Sequence, residues 1–150
     1  MKRLIYTSNI NPDFPLTGLV QIMEQAVRAN KIHGVTGLLI FTSLNFAQWL
    51  EGEDHVVDRL YANIIKDVRH SQCTKREDTP IAQRHWPRWA MNLGLLVNRD
   101  TPFVGKDPAQ RVNLNSDSQS IESLHTRFFE AAKQLPSLQV SFHSSGTRPL

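Results

Sequence analysis

Residues 35–52 read V-T-G-L-L-I-F, then T-S-L-N, then F-A-Q-W-L-E-G. The first block is a short, continuous apolar run, which suits a strand covered on both faces. Thr42–Asn45 supplies turn chemistry, and residues 46–51 follow as the hairpin partner. Successive side chains on a strand point to opposite sides, so Phe46, Gln48 and Leu50 share one face. A glutamine set between two core residues is the anomaly in this hairpin.

Working outward, residues 2–8 alternate well enough for a first strand, and N-I-N-P-D-F-P (9–15) is a turn-rich loop. From Thr17, the expected N-cap, to about Asn30 the period becomes helical, with Leu19, Ile22, Met23 and Ala26 on one stripe. Gly34 restarts the chain before the hairpin, and Gly52 ends it. Glu53 and Asp54 favour the positive end of a second helix, roughly 54–68, with Val57, Leu60, Ile64 and Val68 on its stripe. A weaker, charged strand follows at about 73–84, then Pro87, then an apolar strand at 89–97. The order β-α-β-β-α-β-β predicts an α/β (α+β) ferredoxin-like sandwich, two helices on one sheet face. Residues 98–118 read as a polar connector, about 119–135 as a third amphipathic helix (Ile121, Leu124, Phe128, Leu135), and the last ten as a frayed tail. The expected division is a compact domain at 1–98 and a C-terminal segment at 99–150.

Composition excludes several classes. The net charge of +3 comes from scattered rather than clustered basic residues, which disfavours a nucleic-acid stripe. A single cysteine, Cys73, excludes an internal disulfide and a multi-cysteine metal site. The six histidines lack the close spacing of a zinc pair, so no metal is expected. No G-x-S-x-G, P-loop or G-x-G-x-x-G is present. Without a membrane-length apolar run or a secretory h-region, a cytoplasmic, membrane-free protein is expected.

Four polar residues remain that should face the core: Tyr6 on the first strand, Gln48 on the third, Asn30 closing the first helix and Asp67 closing the second. One buried polar side chain is ordinarily satisfied by nearby backbone. Four converging between two helices and a sheet suggest a flat ligand with polar edges.

In order along the chain, R3-L-I-Y6-T-S8, N30-x-x-x-G34-V-T-G37-L-L, F46-A-Q48-W-L-E-G52-E, D67-V-R-H70 and W89-A-M91 resemble the BLUF family of flavin-based blue-light sensors. The resemblance runs through residues 2–97. It implies a non-covalent flavin, FAD with FMN or riboflavin as alternatives, held between the two helices by Ile22 and Ile64. Asn30 would bond the C4=O/N3 edge and Asp67 would lie near the ring. Tyr6 and Gln48 would be the photochemical pair, the amide ending rotated or tautomerised. Trp89 and Met91 would form a relay on the last strand, with plain core packing as the alternative. Two positions depart from the pattern. Asn63 stands where many members have an arginine, and Ala29 replaces a polar residue.

The resemblance implies a switch rather than an enzyme. With room only for a connector and short helices after residue 97, output is expected through the C-terminal helix to a separate signalling protein or through changed self-association. A homo-oligomer, a dimer or larger, is expected. Short members pack their C-terminal helices on the sheet face away from the flavin. The alternative is a non-photochemical ligand- or RNA-binding module on the same superfold. RNA binding would need an RNP-like aromatic block, and none is present.

Overall fold

A computed structural model describes residues 1–15, 17–42, 44–88, 90, 92–95 and 120–134. The elements in chain order are β1 (Lys2–Ile10), α1 (Thr17–His33), β2 (Thr36–Phe41), β3 (Asn45–Gly52), α2 (Asp54–Ile64), β4 (His70–Pro80), β5 (Asn92–Leu95) and α3 (Ile121–Gln134). They form a five-stranded sheet in the order β4-β1-β3-β2-β5. All neighbours are antiparallel except β2 and β5, which run parallel. The ferredoxin-like arrangement is therefore present, with β5 added beside β2.

The hairpin behaves as its pattern requires. Every residue of β2 and β3 is buried. Phe46 and Leu50 join Leu4, Tyr6 and Leu39 in a core beneath α1 and α2. Ala47 and Trp49 join Ile5, Leu38 and Ile40 in a second core beneath α3, closed by Leu124 and Phe128. The two-fold period of β3 thus separates two layers.

Several boundaries differ from the sequence reading. Helix α1 begins with Thr17 itself, after a turn closed by the Gly18 N–H on the Pro15 carbonyl at 2.8 Å, so Thr17 is not its N-cap. The helix then runs a turn past Asn30 and stops at Gly34, whose φ of 64° is the left-handed cap conformation. The Val35 N–H returns to the Asn30 carbonyl at 2.9 Å to close it. Helix α2 stops at Ile64, not 68. The Asp67 carboxylate accepts the Arg69 backbone N–H at 3.0 Å, a local turn that competes with helix continuation. Val68 consequently leaves the stripe and is 85% exposed.

Strand β4 starts at His70 and ends at Pro80, because β1 sets its register from Ile10↔His70 to Lys2↔Pro80. It is an edge strand, and its charges are partly paired: Lys2 and Lys75 each reach Asp78 at 2.7 Å. Trp89, Met91, the connector at 98–118, Leu135 and the tail lie outside the described residues.

Candidate functional site: a cavity between α1, α2 and the sheet

A cavity of about 330 Å³ opens between α1, α2 and the face of β1, β2 and β3. Ile22, Ala26 and Ala29 line it from α1, Leu60, Asn63 and Ile64 from α2, and Leu39 and Phe46 from the sheet. Helical spacing brings the α1 and α2 residues to one face each, so the cavity has apolar walls. Its polar groups are Tyr6, Gln25, Asn30, Gln48, Asn63, Asp67, Arg69 and His70.

Tyr6 and Gln48 are cross-strand partners in the β1–β3 ladder, which points both side chains to the same side. The Tyr6 hydroxyl donates to Gln48 Oε1 at 2.7 Å, with both residues buried. Burial pushes the Tyr6 phenol well above its ordinary range, so it stays protonated. Asn30 is 2% exposed and donates through Nδ2 to the Ala90 carbonyl at 2.7 Å. That bond ties α1 to the residues just before β5. An amide carries two N–H donors and an acceptor, so one bond does not exhaust it.

Asp67 sits in the turn after α2 rather than at the helix end. Its carboxylate accepts Arg69 Nε at 2.9 Å on Oδ1 and 3.0 Å on Oδ2, and the terminal guanidinium nitrogen as well. The Arg69 guanidinium holds the Asp67 carboxyl below its usual range. Arg69 also donates to Gln25 Oε1 at 3.2 Å, linking the α2–β4 turn to α1 across the cavity.

His70 packs its ring against Phe46 and Tyr6. Burial lowers its pKa, which favours the neutral ring. Nε2 lies 3.0 Å from the Ile64 carbonyl, a pure acceptor, so the proton belongs on Nε2. Nδ1 then accepts from Ser8 Oγ at 2.7 Å.

The cavity therefore gathers Tyr6, Ile22, Asn30, Gln48, Ile64 and Asp67. Trp89 and Met91 are outside the described residues. Gln25, Leu39, Leu60, Arg69 and His70 also line it, beyond the site residues expected from the sequence. Gln25 was legible as the residue one turn beyond Ile22 on the same helix face. Arg69 was legible only as a cation two residues from Asp67, since its reach to α1 depends on the tertiary turn.

A planar, mostly apolar ring with hydrogen-bonding edges fits these groups. The volume lies at the low end of the roughly 300–1,000 Å³ of small-molecule sites. Residues 1–92 match the family described as BLUF, sensors of blue-light using FAD. The chain belongs to this family. BLUF proteins bind a flavin, and this BLUF region is a blue-light sensor module.

Among relatives, the photoactivated adenylate cyclase subunit beta of Euglena gracilis is 33% identical over 130 residues, 83% of this chain and 14% of its own length. The blue light- and temperature-regulated antirepressor BluF of Escherichia coli (strain K12) is 39% identical over 67 residues, 45% of this chain and 17% of its own. The chain thus spans a small fraction of these curated relatives. Among solved structures, BlsA in its ground state superposes with a TM-score of 0.71 at 28% identity, covering 87% of this chain and 86% of that one. The dark state of BlrB, a BLUF protein, superposes with a TM-score of 0.61 at 31% identity, covering 63% and 71%. Among the described residues, no helix is long and apolar enough to cross a membrane.

Proposed function

We propose that the Tyr6–Gln48 pair is the light-driven switch of this BLUF domain, acting on FAD in the cavity, and that the buried 2.7 Å hydrogen bond between them carries this reading. Excited by blue light, a bound flavin supplies a strong one-electron oxidant. Tyr6 gives up an electron, and its phenolic proton moves along the short bond toward Gln48 Oε1. When the electron returns, a proton returns to Tyr6: if Oε1 gives it back, Gln48 is left a rotated amide, and if Nε2 gives one up while Oε1 keeps its own, Gln48 is left as its imidic tautomer. Either outcome changes which amide atoms donate and accept toward the cavity. Atoms are conserved, so the chain changes state without turnover.

The other residues hold the ring. Ile22 from α1 and Ile64 from α2 are its apolar walls, and Asn30 offers its remaining amide groups to a carbonyl–imide edge. Asn63 removes the arginine common at its position. Among the described lining residues Arg69 is the permanent cation, which makes it the substitute for a carbonyl or phosphate contact. Asp67 positions it. Trp89 and Met91 are assigned to relay on the resemblance alone. The photosensory unit is placed at 1–98, in a cytoplasmic protein. Output runs through the segment at 99–150 to a separate protein or to a second copy of the chain, as relatives couple such domains to effectors.

The purified chain reconstituted with FAD should be yellow and shift slightly to the red under blue light, recovering in the dark. Gln48→Ala and Tyr6→Phe should keep the colour and lose the shift. A normal red shift in Gln48→Ala would refute the assigned role.

A further inference from the structure

Gln48 has a neighbour that its own chemistry does not use. Trp49 follows it on β3, points to the opposite face of the sheet and is 1% exposed. Its indole is the meeting point of the second core. His125, Phe128 and Phe129 of α3 approach it at centroid distances of 4.8, 5.4 and 6.0 Å. From the segment before β5, His85 and Trp86 approach at 5.7 and 5.5 Å. The Arg3 guanidinium lies 4.4 Å from the ring centre.

The indole is also fastened. Its Nε1–H donates at 2.9 Å to Oε1 of Glu51, a carboxylate with no exposure. Oε2 of the same group accepts the backbone N–H groups of His85 at 2.8 Å and Trp86 at 3.0 Å. Glu51 thereby links the indole to the chain that leads into β5.

We infer that Trp49 is a positioning residue that carries a change at Gln48 through the sheet to helix α3. This rests on the light reaction proposed for Gln48. The mechanical reason lies in the register. Gln48 is laddered between Tyr6 and Leu39, and Trp49 between Ile5 and Leu38. Hydrogen-bonded on both sides, β3 cannot slide without breaking both ladders. A tilt about the strand axis preserves them, and it moves adjacent side chains in opposite directions. A new hydrogen-bond pattern at Gln48 therefore emerges on the far face as a displaced indole. The described rings of α3 all rest on that indole, so the helix is the element that responds. A polar bond also fastens it to the β4 edge, His125 Nε2 to Glu77 Oε2 at 2.6 Å. A coupling of this kind needs an element with two arrangements, and α3, docked tightly or loosely on this face, is that element.

The test uses the full chain loaded with FAD, following backbone hydrogen exchange across residues 121–129 in the dark and under continuous blue light. The parent chain should show a light-dependent change in α3 exchange of about threefold or more, since local opening sets these rates. It should also show a light-minus-dark infrared band for an indole N–H whose bond has changed. Trp49→Phe keeps an apolar ring and removes the N–H. It should retain the red shift and the dark exchange pattern, and lose both the α3 response and the band. Phe129→Leu cuts the same contact from the helix side without touching the sheet and should weaken the α3 response. An undiminished α3 response in either variant overturns the inference, in favour of a route through β5. A parent chain with a normal red shift and a silent α3 overturns it too. A parent chain without the red shift overturns the light-switch reading itself, and this inference with it.

Discussion

Gly37 is the position where a single methyl group should do most damage to the hairpin. It pairs with Leu50 across β2 and β3. A Cβ there would run into the Trp49 carbonyl oxygen, with the Trp49 carbonyl carbon at 3.0 Å and Leu50 Cα at 3.3 Å. These are backbone atoms of a strand laddered on both sides, so they cannot swing away. Overpacking a core costs about 1–3 kcal/mol where side chains can adjust. With backbone as the obstacle, Gly37→Ala should cost about 3 kcal/mol or more, and the ~0.4–1 kcal/mol gained by stiffening the unfolded chain does not offset it. At roughly 2–4 °C per kcal/mol for a chain of this size, the melting temperature should fall by about 6–12 °C. Gly52→Ala is the control. Its added Cβ would meet Val35 Cγ2 and Val57 Cγ2 at 3.3 Å, and these methyl groups can give by a few tenths of an ångström. It should cost about 1 kcal/mol or less. Paired thermal melts monitored by circular dichroism measure both. If Gly37→Ala melts no lower than Gly52→Ala, the close approach of β2 to β3 is not as described.

Two pH predictions follow from the cavity. The folded pKa of His70 is lowered by burial, so its contribution to stability is complete above the unfolded value of about 6.5 and is lost as pH falls through the lowered one. NMR titration of the ring should give a midpoint below 6.5, and His70→Gln should flatten stability between neutral and mildly acidic pH; a midpoint at or above 6.5 contradicts the burial. Asp67 is also lowered, by Arg69, so its contribution is complete above about 4 and disappears as pH falls through its folded value. Asp67→Asn should remove that acid limb and loosen Arg69 from Gln25, raising the dissociation constant for FAD; unchanged FAD affinity would show that Arg69 is not held for the ligand.

The sequence alone was enough for the order of elements, because period-two and period-3.6 patterns are local and strong. It was also enough to show that Gln48 and Tyr6 face the helices and that Ile121, Leu124 and Phe128 form a face of their own. The blocks from Arg3 to Met91 pointed to the family for the same reason, since motif spacing is written along the chain. What the sequence did not hold is where elements stop under tertiary constraint. Asp67 lies beyond α2 because its carboxylate turns back to the Arg69 backbone, and β4 has the length it has because β1 sets its ladder. The reach of Arg69 to Gln25 and the gathering of α3 rings on Trp49 join residues far apart in sequence. No period encodes such contacts. They exist only once β3 is laddered on both sides, with Gln48 facing one layer and Trp49 the other.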